Sequence, residues 1–132
     1  MNTRLFSTRT ILSVTTGRLL TKGEGTRDNG IGDVYRLLEW MVGESPWTLS
    51  LGLFADKCKP HLLRQFPELK QAERLDGQLD VLAKEHGMDD GIERWLLSLG
   101  LPQSYEVPRI ADLPPLEDAE FDRVRRRFTV PS

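Results

Sequence analysis

Apolar residues recur at helical spacing in several separate stretches of the chain. Between residues 31 and 42, Ile31, Val34, Tyr35, Leu38, Met41 and Val42 follow an i, i+3, i+4, i+7 pattern, with Asp33 placed to cap the run and Gly43 to end it. Leu37 and Trp40 occupy a second face and leave Arg36 and Glu39 as the solvent positions, so this helix is expected to be central and buried on two sides. Leu69, Ala72, Leu75, Leu79, Leu82 and Ala83 predict an amphipathic helix that Gly87 terminates, with Gly77 weakening its middle. Asp89 or Asp90 then caps a helix with Ile92, Trp95, Leu96 and Leu99 inward, and Gly100 with Pro102 stops it. The last two helices should form a hairpin.

Other stretches are mixed. Residues 7–20 read as a helix capped by Ser7 or Thr8, although Thr8, Thr10, Val14, Thr15 and Thr16 are β-branched and leave a strand open for part of the run. Beyond Ser45-Pro46, the alternation of Trp47, Leu49, Leu51 and Leu53 has the period of a strand or an extended link. Residues 54–58 look helical, and Pro60 suits the first turn of another short helix that Pro67 ends. Tyr105, Val107 and Ile110 fit a short edge strand, since Pro108 cannot donate to a sheet ladder. Phe121, Val124 and Phe128 place a final helix after Pro114-Pro115. The expected class is α+β, predominantly helical, with at most a small sheet. Its core should join residues 31–42, 69–83 and 92–99.

Composition narrows this further. At 132 residues, 39% apolar and 29% charged, the chain is long enough for one core, and a single domain over 1–132 is expected. Residues 21–32 carry Gly23, Gly25, Gly30 and Gly32 among polar neighbours and read as a flexible loop. The formal net charge of −2 argues against a whole-protein grip on nucleic acid. A single cysteine, Cys58, forbids an intrachain disulfide and suits a reducing cytoplasm. No apolar run reaches the length of a signal core or a membrane span.

Candidate chemistry is sparse. Cys58 and His61 have a C-x-x-H spacing, yet only His86 could join them as a further imidazole or thiol ligand, and zinc needs four groups. As a thiol and its base the same pair would require an unbroken helix across Pro60, so a core cysteine beside an exposed histidine is the better reading. Lys22 with the glycine loop lacks the sequence of a phosphate-binding loop. Neither an enzyme nor a cofactor is expected. Arg123, Arg125, Arg126 and Arg127 could meet phosphates, but Glu117, Asp118, Glu120 and Asp122 precede them, an order that complements a helix dipole. Trp47 follows a proline and precedes an apolar run, which makes it the best aromatic candidate for a binding surface.

The run at residues 11–20, Ile-Leu-Ser-Val-Thr-Thr-Gly-Arg-Leu-Leu, followed by residues 32–44 from Gly32 through Val34-Tyr35 to Met41-Val42-Gly43-Glu44, resembles a small family of bacteriophage and prophage proteins. The likeness continues through Lys59-Pro60-His61-Leu62-Leu63 and Phe66-Pro67 and covers about the first half of the chain. It departs after Glu44, where Ser45 to Leu49 replace a histidine-containing segment, and at the inserted glycine loop. The resemblance implies an accessory product of a mobile element, acting in the bacterial cytoplasm by binding. One role it implies is inhibition of a host defence complex such as a CRISPR effector, in some cases as a homodimer. An acidic surface drawn to a positively charged channel would serve that role. The expected protein-binding residues are Trp47, Asp89, Asp90 and Glu93. The rival expectation is a small DNA-binding regulator that uses the arginines of the last helix.

Overall fold

A computed structural model describes residues 2–21, 31–44 and 51–114. The loop expected at 21–32 (apart from its ends), Trp47, and the final helix with Arg123, Arg125, Arg126 and Arg127 lie outside the described residues. Within them the fold is α+β and predominantly helical. The elements are β1 (Thr3–Ser7), α1 (Thr8–Thr16), α2 (Ile31–Val42), α3 (Leu51–Gln65), α4 (Lys70–Arg74), α5 (Asp76–His86), α6 (Met88–Leu99) and β2 (Ser104–Pro108), with 3-10 turns at Pro67–Leu69 and Ile110–Asp112. β1 and β2 pair antiparallel, with Thr3 opposite Pro108 and Ser7 opposite Ser104.

The first segment divides at Ser7. Its hydroxyl accepts from the Thr10 amide at 3.2 Å and caps α1, while Thr3–Ser7, not foreseen in the sequence, is the strand that receives β2. The β-branched residues that argued against a helix sit inside α1, where the Thr8 and Thr16 hydroxyls donate to backbone carbonyls, the Thr10 hydroxyl pairs with that of Ser7, and the buried Thr15 hydroxyl has no hydrogen-bond partner among the described residues. Ser13 donates to the Arg9 carbonyl and accepts from the Leu20 amide, and Thr16 donates to the Leu12 carbonyl. Such back-bonding lets a buried helix face carry Ser13 and Thr16 with their hydroxyls satisfied. Gly17, at φ +75°, ends α1 in the left-handed region.

α2 is central as expected, burying Val34, Leu37, Leu38 and Met41. Asp33 does not cap it, because the helix already begins at Ile31; the carboxylate instead pairs with Arg36 in the first turn. The half-buried Trp40 indole donates to the Val107 carbonyl at 2.7 Å, and the Arg109 guanidinium stands 4.4 Å over its ring. These contacts tie α2 to the sheet.

Four boundaries differ from expectation. Residues 51–53 are helical rather than extended, and α3 runs through Pro60 without stopping. Cys58 to Leu63 are six consecutive buried residues, so packing on every side of α3 compensates the hydrogen bond that proline removes. The helix expected over 69–83 is broken at Leu75, not at Gly77, into α4 and α5. There the Trp95 indole N–H donates to the Leu75 carbonyl at 3.2 Å. Neither Asp89 nor Asp90 caps α6; Gly87 does, and the two acids occupy the first turn.

α5 and α6 form the expected hairpin. It closes tightly at Gly91, where an added Cβ would lie 2.7 Å from the Ala83 nitrogen and 2.8 Å from its Cα. Only glycine permits that backbone approach. Gly91→Ala gains helix propensity worth about 1 kcal/mol but must separate the helices, so a net loss of roughly 1–2 kcal/mol is expected. Urea unfolding of the variant measures it.

The buried cluster draws on Phe6 and Val107 of the sheet, Ile11, Leu12 and Val14 of α1, Leu37, Leu38 and Met41 of α2, Cys58 and Leu62 of α3, and Leu79, Ile92, Trp95 and Leu96 of the hairpin. The three expected core segments are therefore joined by α1 and α3.

Candidate functional site

Charge is unevenly spread along the chain. The α5–α6 hairpin carries Asp76, Asp80, Glu85, Asp89, Asp90 and Glu93 against Lys84 and Arg94. Two arginines of the first helical segment dock onto it. Arg9, on α1, places Nη1 2.7 Å from Asp89 Oδ1 and Nη2 2.6 Å from Glu93 Oε1, and also reaches the Asp89 carbonyl at 3.2 Å. Arg18, just beyond α1, meets Asp80 at 2.7 Å.

Asp89 and Glu93 are four residues apart on α6, one turn above the other, which is why one guanidinium can span both. Burial works against the Arg9 cation, but hydrogen bonds and attraction from Asp89 and Glu93 outweigh it and raise its pKa above the ordinary value. The pair keeps an outward side, since both carboxylates remain partly exposed. Asp90 points elsewhere on the helix, where Arg94 reaches it at 3.1 Å, and both stay largely in solvent. Of the expected binding residues, then, Asp89 and Glu93 are brought together and Asp90 lies beside them. Trp47 lies outside the described residues.

Exposed apolar side chains interrupt the same hairpin: Val81 on α5, and Met88 and Leu97 on α6, Leu97 at 72%. Asp90, Arg94 and Leu97 follow the i, i+4, i+7 spacing of one helix stripe. This surface mixes hydrogen-bonding carboxylates with apolar area that water covers at some cost.

The other candidates have structural environments. His61 is buried rather than exposed, as is Cys58. Burial pushes the Cys58 thiol up to about 12, against a small opposing effect of Lys57, so it is protonated near neutrality and a poor nucleophile. A thiol reagent should therefore modify the folded protein slowly and the unfolded chain readily. Because the folded thiol titrates above its ordinary 9.0, its contribution to stability is complete below that pH and is lost as pH rises from 9 to about 12. Unfolding followed across that window checks the sign. Among the described residues no group of three or more His, Cys, Asp or Glu is placed to hold a metal ion. A groove of about 590 Å³ runs beside α4, lined by Lys70, Gln71, Glu73 and Arg74.

Sequence reasoning missed Arg9, Arg18 and Lys59. The Lys59 ammonium is only 1% exposed and meets Glu73 at 2.6 Å across α3 and α4. Nothing local distinguishes a lysine inside a helix from one on its surface; the run of buried neighbours on both sides of Lys59 is the one faint signal.

The geometry defines a small helical α+β protein in which α1 and the residues just after it, through Arg9 and Arg18, grip the acid-rich α5–α6 hairpin. The chain belongs to the family of a domain of unknown function, DUF7736, whose model matches residues 6–72. The match runs from Phe6 in β1 to Ala72 in α4, and so includes Arg9 and Arg18 but leaves the hairpin outside. No curated protein and no solved structure matches the chain. No described helix is long and apolar enough to cross a membrane.

Proposed function

We propose that this is an accessory protein of a phage or other mobile element that works by binding a host protein in the bacterial cytoplasm, as an inhibitor of a defence complex such as a CRISPR effector. The observation that carries the reading is the surface of the α5–α6 hairpin, where six carboxylates face Lys84, Arg94 and the docked Arg9 and Arg18, a net excess of acid, and Val81, Met88 and Leu97 stay exposed. A channel built to hold nucleic acid is lined by cations, and an acidic surface is steered toward it and competes for the same groups. Apolar side chains set among the charges then supply the short-range burial that holds the complex. Arg9 contributes by fixing Asp89 and Glu93 in one arrangement, so less side-chain freedom is lost on binding. Trp47 is a further contact in this reading.

The family domain and the hairpin divide the work. The domain provides the scaffold and the docking arginines, while the hairpin presents the recognition surface. The test is capture from a bacterial lysate with the tagged protein, with and without nuclease treatment, read by mass spectrometry. A stoichiometric host protein that survives nuclease supports the inhibitor. Retention of nucleic acid alone would replace it with the regulator that uses Arg123, Arg125, Arg126 and Arg127.

A further inference from the structure

Among the described residues the sheet has two strands, and its two outer edges are unlike. β2 is half-buried or buried at four of its five residues. β1 is exposed at four of five, with Phe6 alone turned into the core. The phase of the ladder is set where β1 meets α1. The Thr8 amide donates to the Gln103 carbonyl at 2.9 Å, which extends the register one step past Ser7 opposite Ser104. Residues of an antiparallel pair alternate between facing the partner strand and facing away. Phe6 and Arg4 therefore direct their backbone groups to β2, and Thr3, Leu5 and Ser7 direct theirs outward.

Leu5 is the midpoint of β1, opposite Glu106 on the solvent face, and is 63% exposed. Natural edge strands are often blunted by charged side chains, a proline or a bulge. β1 has no proline or bulge and its register is unbroken; its one charge, Arg4, lies against the Phe6 ring, and an exposed leucine occupies the centre.

We propose that β1 pairs antiparallel with β1 of a second copy of this chain, about a two-fold axis at Leu5. In that register Leu5 exchanges both backbone hydrogen bonds with Leu5 of the second copy, and the Ser7 amide reaches the Thr3 carbonyl. Arg4 falls opposite Phe6, repeating across the axis the contact within one chain, where the Arg4 guanidinium lies 5.5 Å from the Phe6 ring centroid. No two like charges stand directly opposite. The strand is self-complementary, as an isologous interface requires, and the result is a four-stranded sheet ordered β2, β1, β1, β2. One strand pair buries less than a standard interface of about 1,600 Å², so the dimer is weak and depends on concentration.

Sedimentation velocity over a concentration series tests this with the full chain. The wild type is expected to show reversible dimerisation. Leu5→Lys and Leu5→Glu, each placing like charges across the axis, should each weaken it by about tenfold or more, and an equimolar mixture of the two should recover it. Hydrogen exchange of the Leu5 amide, which needs no variant, should slow as protein concentration rises. A wild type that stays monomeric to about millimolar concentration, or a dimer indifferent to Leu5→Lys, overturns the proposal.

Discussion

Replacing Glu73 by alanine is expected to destabilise the protein by about 3 kcal/mol. Its partner Lys59 is 1% exposed, whereas Glu73 keeps 22% of its side-chain surface. Removing the carboxylate takes from a buried ammonium the anion it meets at 2.6 Å, and weakening the pairing of a buried cation costs more than the ion pair itself contributes. The partial exposure of Glu73 places the effect at the lower end of the usual range, because water can enter where the carboxylate was. Lys59→Met removes the cation and fills a similar volume, so it should be close to neutral, and the double variant should recover most of what Glu73→Ala loses. Thermal unfolding of the three variants separates the outcomes. Glu73→Ala alone should melt about 10 °C lower.

The second large effect is at Trp95. The indole is fully buried on α6 and hydrogen-bonded to the Leu75 carbonyl at the joint between α4 and α5. Trp95→Ala should cost about 3–5 kcal/mol through the cavity it leaves. Trp95→Phe retains most of the volume but abandons a carbonyl at a helix break, and should cost about 1–3 kcal/mol. Urea unfolding distinguishes the two, and a Trp95→Phe variant as stable as wild type would show that the indole hydrogen bond does not hold the joint.

Both sites lie where the sequence was least informative; elsewhere its patterning was legible. The period of Val34, Leu38 and Met41 revealed α2, and Gly43 and Gly100 marked helix ends where they are found at φ +87° and +69°. Hydrophobic spacing reports a face to be buried, which is the same wherever the partner lies. It does not report the partner. The break at Leu75 depends on Trp95, twenty residues away, and the passage of α3 through Pro60 depends on neighbours on all sides. β1 was hidden because a strand of five residues with one inward side chain has almost no period to read. The expected acids could be named but not paired: Asp89 and Glu93 share a face by spacing alone, whereas the arginine that joins them comes from eighty residues earlier.

The functional account stands on the hairpin as a recognition surface, and its outward carboxylates can be changed without disturbing the core. Glu85 and Asp90 are both largely exposed. The most direct test is the affinity of a Glu85→Lys, Asp90→Lys double variant for the host protein captured by the wild type, with circular dichroism confirming an unchanged fold. The account predicts a loss of about tenfold or more, with a slower association that becomes less sensitive to salt. Unchanged affinity and salt dependence would contradict it and place the binding surface elsewhere on the chain.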